Sequence, residues 1–210
     1  MIQGSEEWLA ARCGKFTSSR AEDLMAQGKG GKPSTSRANL LALLAIERFT
    51  GCPVATYQNA AMRRGNTLEP DALSAYAFAR EVTLETVAFV EHPTLRNCGC
   101  SPDALVGDDG IAEAKCPDAM AKHLAALRTG DHAREYKWQI QHLLLGTGRS
   151  WVDAMSFDPR YPANLQLAIK RVPRDDAAIA ALEAAIVVAD AEVDSIVEAM
   201  RKMEDNRCLG

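Results

Sequence analysis

The sequence predicts an α/β (α+β) fold: one domain over residues 1–210, with strands and helices in one core. Two observations carry this. Apolar residues recur at helical spacing in 37–49 and through the alanine-rich stretch 175–203, whereas 82–90, 104–106, 151–157 and 165–172 are short alternating, apolar or β-branched runs. The order is helices, a strand meander, a helix, further strand and a closing helix, with no internal repeat and no linker long enough to set off a second domain.

The elements follow in order. Residues 5–12 read as a short helix capped by Ser5, with Glu6 and Glu7 suited to its first turn and Cys13-Gly14 ending it. Ser19-x-x-Glu22 is a capping-box pattern opening a second helix. Residues 27–36 form a flexible basic loop; Lys32 is followed by Pro33 and no strand precedes it, which excludes a P-loop. Residues 37–49 make an amphipathic core helix, Gly51-Cys52-Pro53 breaks it, and 59–80 is helical again, with Pro70 kinking it or starting a new helix. The strand at 82–90 joins 94–97 and a hairpin around 107–110 in an antiparallel sheet. Pro117 opens a helix that Gly130 stops, and 135–145 is helical with Tyr136 and Gln139 on one face.

Composition narrows the class. Hydrophobic content of 47% and charged content of 25% suit a globular core. No apolar run approaches the roughly 20 residues that span a bilayer, and MIQGSEEW lacks a basic region followed by an apolar one, so a cytoplasmic protein without membrane contact is expected. A net charge of −4 argues against a passive DNA coat but leaves room for local cations. The six cysteines are expected as free thiols, and Cys98, Cys100 and Cys116 lack the C-x₂-C spacing of an iron–sulfur site.

The chemistry lies between Ser101 and Pro117. Ala104-Leu105-Val106 and Ile111-Ala112 flank Gly107-Asp108-Asp109-Gly110, and Asp-Gly between apolar runs signals a hairpin. Asp103 then leads into one strand and Glu113 lies on the returning one. Glu113 and Lys115 share a face, with Ala114 opposite. Like charges so gathered raise a carboxyl pKa unless a cation neutralises them. Mg²⁺ suits the pair, since it takes a few carboxylate oxygens and keeps waters and phosphate oxygens. Asp103, Glu113 and the Ala114 backbone carbonyl are the candidate ligands. Lys115 is placed to orient water or stabilise developing charge. Glu-x-Lys alone reads as an ordinary surface pair; Pro-Asp followed by Glu-x-Lys across a hairpin is far more specific.

Pro102-Asp103 and Glu113-Ala114-Lys115 resemble the PD-(D/E)xK nuclease signature. Cys100-Ser101-Pro102-Asp103 with Glu113-Ala114-Lys115-Cys116-Pro117 is similar to the lambda exonuclease branch, the YqaJ-like viral recombinase family. The resemblance runs from Trp8 to about Val172 and implies a restriction-endonuclease-like core, a central mixed sheet flanked by helices. From it, Glu69 in Gly65-x-x-x-Glu69 becomes a third acidic residue, reaching the metal directly or through water. Gln139 in Tyr136-x-x-Gln139-x-Gln141 positions reactants, with Tyr136 facing the site. Arg12 and Ser19 form a pocket for a DNA 5′-phosphate. Met62 wedges the duplex end apart while Arg63 and Arg64 hold phosphates; Lys29 and Lys32 either touch the DNA backbone or stay solvated. His142 is set aside as a general base, because lysine-based chemistry does not need it.

The resemblance therefore implies a Mg²⁺-dependent exonuclease with two metals per active site, Mn²⁺ being a possible substitute. It would digest double-stranded DNA ends 5′ to 3′, release 5′-mononucleotides, form a toroidal homotrimer and work beside a single-strand annealing protein in phage-type recombination. The rivals are a CRISPR-associated or RecB-like nuclease of other polarity and a catalytically silent DNA-end-binding module.

Overall fold

A computed structural model describes residues 1–28, 30, 34–55 and 60–208 of the chain. Its central sheet has five strands in the order β1-β4-β5-β6-β7: β1 (Leu84–Glu85), β4 (Ala104–Val106), β5 (Gly110–Lys115), β6 (Trp151–Phe157) and β7 (Leu167–Pro173). All neighbouring pairs are antiparallel except β5 with β6, so the sheet is mixed, as the family resemblance implies. A parallel pair needs a long crossover. Here α5 (Met120–Thr129), a 3₁₀ turn (Asp131–Tyr136) and α6 (Lys137–Thr147) supply it. A separate ladder joins β2 (Val90–Glu91) to β3 (Gly99–Cys100).

Strand alternation divides the core in two. Leu105, Ile111, Val152 and Ala154 face the larger cluster, built with α2 (Ala21–Met25), α3 (Thr35–Thr50), α6 and α7 (Asp176–Cys208). Ala104, Val106, Ala112 and Met155 face Tyr76 of α4 (Ala60–Arg80) on the other side. Glu113 and Lys115 stand in phase with Ile111, so they project on the α6 side.

Several elements differ from expectation for identifiable reasons. The strand at 82–90 is two short ladders in different sheets. Between them the carbonyl of Val87 accepts from the Gln3 amide and that of Ala88 from the Trp8 indole, so N-terminal side chains take the place of a neighbouring strand. Residues 94–97 form a turn rather than a strand: His92 Nδ1 accepts from the amides of Thr94 and Leu95, and Asn97 has φ +54°. Pro117 does not open a helix, because Arg160 holds the Pro117 and Asp118 carbonyls and α5 begins at Met120. Nor does Asp109-Gly110 make the hairpin turn. The loop is Gly107–Asp109, with Gly107 at φ +53°, and Gly110 is already paired in β5.

The capping box at Ser19 is also absent. Arg20 occupies the cap position of α2 without a side-chain cap bond, and both Ser19 and Glu22 face elsewhere. Ser5 does cap α1 (Glu6–Arg12). Pro70 lies inside α4 rather than starting a helix. Cys13, Cys52, Cys98, Cys100 and Cys116 are free thiols; burial pushes Cys98 and Cys100 up to about 12. Among the described residues no helix is long and apolar enough to cross a membrane. Lys29 and Lys32 lie outside the described residues.

Candidate active site

Asp103 sits just before β4, and its Oδ2 accepts from the Ala114 amide of β5 at 2.7 Å. The hairpin register, Ala104 opposite Ala112, brings Asp103 to the level of Glu113. Glu113 is 3% exposed. Its Oε1 accepts from Lys115 Nζ at 2.7 Å and from Gln139 Nε2 at 2.7 Å, while Oε2 is buried without a hydrogen-bond partner among the described residues. The Tyr136 ring lies 4.9 Å from Lys115 Nζ. Gln139 and Tyr136 thus both face the site.

The electrostatics are those of crowded acids. Burial, then the charges of Glu113 and Glu69, hold Asp103 well above the usual carboxyl range, with Lys115 and the Ala114 amide opposing. Glu69 on α4 is raised by burial and by Glu113. Burial disfavours charge on Lys115, but Glu113 and Asp103 more than offset it and raise its pKa. Glu69 is therefore part of this electrostatic unit.

These residues suit a divalent cation. An orphaned buried oxygen on Glu113 and two acids strained toward protonation are what a cation would relieve. Among the described residues no three His, Cys, Asp or Glu side chains converge tightly enough to enclose an ion unaided. Asp103 is turned to Ala114, and Glu113 Oε1 to Lys115 and Gln139. Such a partial set, completed by water and phosphate oxygens, is the habit of Mg²⁺.

A second cluster adjoins the first. The Arg12 guanidinium donates to Ser101 Oγ at 2.9 Å, Ser19 Oγ at 3.0 Å and Thr17 Oγ1 at 3.2 Å, and its Cζ lies 4.2 Å from the Trp8 ring centroid. Ser101 Oγ also accepts from the Trp8 indole, which leaves its own proton to donate. Among the described residues no carboxylate lies within ion-pairing distance of Arg12. Burial, then nearby Arg20, lowers its pKa to about 10, so it stays cationic at neutral pH. Ser101 and Thr17 are additions that the motif reading did not assign. Ser101 immediately precedes Pro102-Asp103, so the motif itself was the available signal.

The remaining candidates lie on the first half of α4. Met62 is 47% exposed, and Arg63 is exposed. Arg64 is engaged: it pairs with fully buried Asp158 at 3.2 Å and with Asp118 at 3.7 Å. His142, set aside as a base, is fully buried between Ser18 and Cys98.

A mixed sheet with Pro-Asp leading into one strand, Glu-x-Lys on the next and helices on both faces is a nuclease core of the PD-(D/E)xK type. More narrowly, the chain belongs to the YqaJ-like viral recombinase domain family, whose family model matches residues 7–150. An alkaline exonuclease, LHK-Exo from Laribacter hongkongensis, is 38% identical with a TM-score of 0.87, over 96% of this chain and 99% of that one. Its complex with dAMP superposes equally well. A phage-related exonuclease from Haemophilus somnus 129PT shares the fold at 16% identity and a TM-score of 0.72, over 89% of this chain and 96% of that one. No protein of curated function matches the chain.

Proposed function

We propose that this nuclease is a Mg²⁺-dependent 5′-to-3′ exonuclease that acts on the ends of linear double-stranded DNA and releases 5′-mononucleotides. The observation that carries the reading is Arg12: a half-buried cation held by three hydroxyls, with no carboxylate in ion-pairing distance among the described residues, joined through Ser101 to Asp103. A terminal phosphate is the anion that such a planar, multidentate donor set recognises. The 38% identical relative is an alkaline exonuclease and has been captured with dAMP, a 5′-mononucleotide.

In this reading Asp103, Glu113, the Ala114 carbonyl and Glu69 would hold the metal, two ions per site, with Mn²⁺ as a possible substitute. When bound, the metal supplies a nucleophilic water at neutral pH and charge stabilisation at phosphorus. Water attacks the phosphorus between the first and second nucleotides, the P–O3′ bond breaks, and the departing 3′ oxygen takes a proton. The second nucleotide keeps the phosphate and becomes the new 5′ end. Lys115 remains an ammonium beside Glu113 and offsets charge growing on the phosphoryl oxygens. Gln139 fixes the Glu113 carboxylate, and the Arg12–Ser19–Ser101 pocket holds the terminal phosphate so that cleavage falls one nucleotide in. Met62 stacks on the unpaired end, with Arg63 and Arg64 near the backbone. A homotrimeric ring and a single-strand annealing partner complete the reading, in keeping with the recombinase family.

Linear duplex labelled at one end tests it. Mononucleotides released from the 5′ end and abolished by chelator are the expected result. Release from the 3′ end or internal cuts would move the protein to a RecB-like reading, and no cleavage under any metal would leave an end-binding module.

A further inference from the structure

One segment joins the two clusters, and its contacts suggest more than a scaffold. Residues 17–22 present Thr17 and Ser19 to Arg12 on one side. On the other side the same segment grips α6 twice. Glu22 Oε1 accepts from the Trp138 amide at 2.8 Å and the Gln139 amide at 3.4 Å. Ser18 Oγ lies 3.1 Å from His142 Nδ1, one turn further along α6. The cap residue of α6, Tyr136, makes no side-chain cap bond. The orphan amides that every helix start leaves are here satisfied by a carboxylate from a different element, with favourable dipole alignment. One of them belongs to Gln139, whose side chain holds Glu113.

We infer that Glu22, supported by Ser18, is a positioning residue that couples the Arg12 pocket to Gln139, so that an occupied pocket sets the glutamine on Glu113 and raises turnover. The inference rests on the reading of Arg12 as the terminal-phosphate pocket. A phosphate bound by Arg12, Ser19 and Ser101 fixes residues 17–22. Glu22 passes that fixation to the first turn of α6. Gln139, three residues into the helix, is held in the geometry that steers the Glu113 carboxylate. A hydroxyl end leaves the segment less constrained and turns over more slowly even when saturating.

The test compares kcat and KM for the first cut alone, because every later end carries a phosphate, on matched duplexes with 5′-phosphate and 5′-hydroxyl ends, for the parent, Glu22→Ala and Glu22→Gln. The parent should favour phosphate ends in kcat. Glu22→Ala should cut that kcat ratio about tenfold or more and leave KM for phosphate ends unchanged, because Arg12, Ser19 and Ser101 are intact. Glu22→Gln keeps an acceptor oxygen and should restore most of the ratio. Ser18→Ala, which keeps the buried shape and removes one grip on α6, should also lower the ratio and serves if Glu22→Ala does not fold. An unchanged ratio, or equal slowing on both ends, overturns the coupling while the pocket stands. A parent without any phosphate preference overturns the pocket reading, and the coupling with it.

Discussion

Gln139 donates its side-chain amide to Oε1 of Glu113 at 2.7 Å, the same oxygen that takes the Lys115 ammonium, while Oε2 of Glu113 has no hydrogen-bond partner among the described residues. One oxygen is thus held in place and the other left open. Lys115 competes for Glu113 with any cation that binds there. Lys115→Ala should therefore bind Mg²⁺ at least as tightly as the parent by calorimetry, yet lose about 10²-fold or more in mononucleotide release. Weaker binding in the variant would mean that Lys115 helps to build the metal site rather than to serve the reaction.

Glu69 sits among acids that raise its pKa, burial first and Glu113 second. Glu69→Gln removes one of those charges. The metal-free variant should melt higher than the parent, and the difference should vanish or reverse at saturating Mg²⁺. Scanning calorimetry with and without metal reads both. A lower melting temperature without metal would show that Glu69 is tied into structure rather than held there against repulsion.

Arg12→Ala should slow the first cut on 5′-phosphorylated duplex by about tenfold or more while changing the first cut on hydroxyl ends little, since a bidentate charge-assisted contact disappears only for the former. Single-turnover rates of that first cut decide it, because every later end carries a phosphate on both substrates. Equal slowing of both would remove the guanidinium from end recognition.

His142 gives a pH signature. Burial lowers its pKa to about 4 in the folded chain, against about 6.5 when unfolded. The unfolded chain therefore binds the proton more readily. Its contribution is fully present above about pH 6.5 and is lost as pH falls toward 4, with a slope of at most about 1.4 kcal/mol per unit. Denaturant titrations across that window should show a shallower decline for His142→Gln than for the parent. Parallel curves would place the buried charge elsewhere.

Gly110 is required by its neighbour. An added Cβ would fall 2.1 Å from Trp151 Cζ2, and Arg171 stacks over that ring at 3.5 Å, so the indole has little room to move. Gly110→Ala should destabilise by about 1–3 kcal/mol, or about 2–4 °C per kcal/mol. Thermal melts check this, and an unchanged melting temperature would show that the ring yields.

Much of this was legible because local pattern and tertiary role agree. The strand at Trp151–Phe157 matches its apolar run from end to end, and α3 differs from the 37–49 pattern by a residue or two. Asp103, Glu113 and Lys115 were readable because their spacing in a hairpin is itself the chemistry. The failures are positions where distant side chains decide. Gln3 and Trp8 interrupt the 82–90 strand, and Arg160 unwinds the expected start of α5. Glu22 satisfies a capping pattern with Ser19 in sequence but caps α6 in space. Ser101 was hidden by lying in a motif whose fame rests on the aspartate two residues later. In each case the partner is far along the chain, where no window of sequence reaches.

The parallel pairing of β5 with β6 also orders how the protein folds as it is synthesised. Glu113 and Lys115 leave the ribosome on a hairpin that can form early, but β5 keeps a bare edge until residues 116–150 have been made and β6 can slot in beside it. Gln139 lies within that span, and its helix is anchored by residues made long before. A chain still being translated therefore carries the acids and lysine without the clamp that organises them, and the cutting site matures only as the polypeptide closes over its own middle.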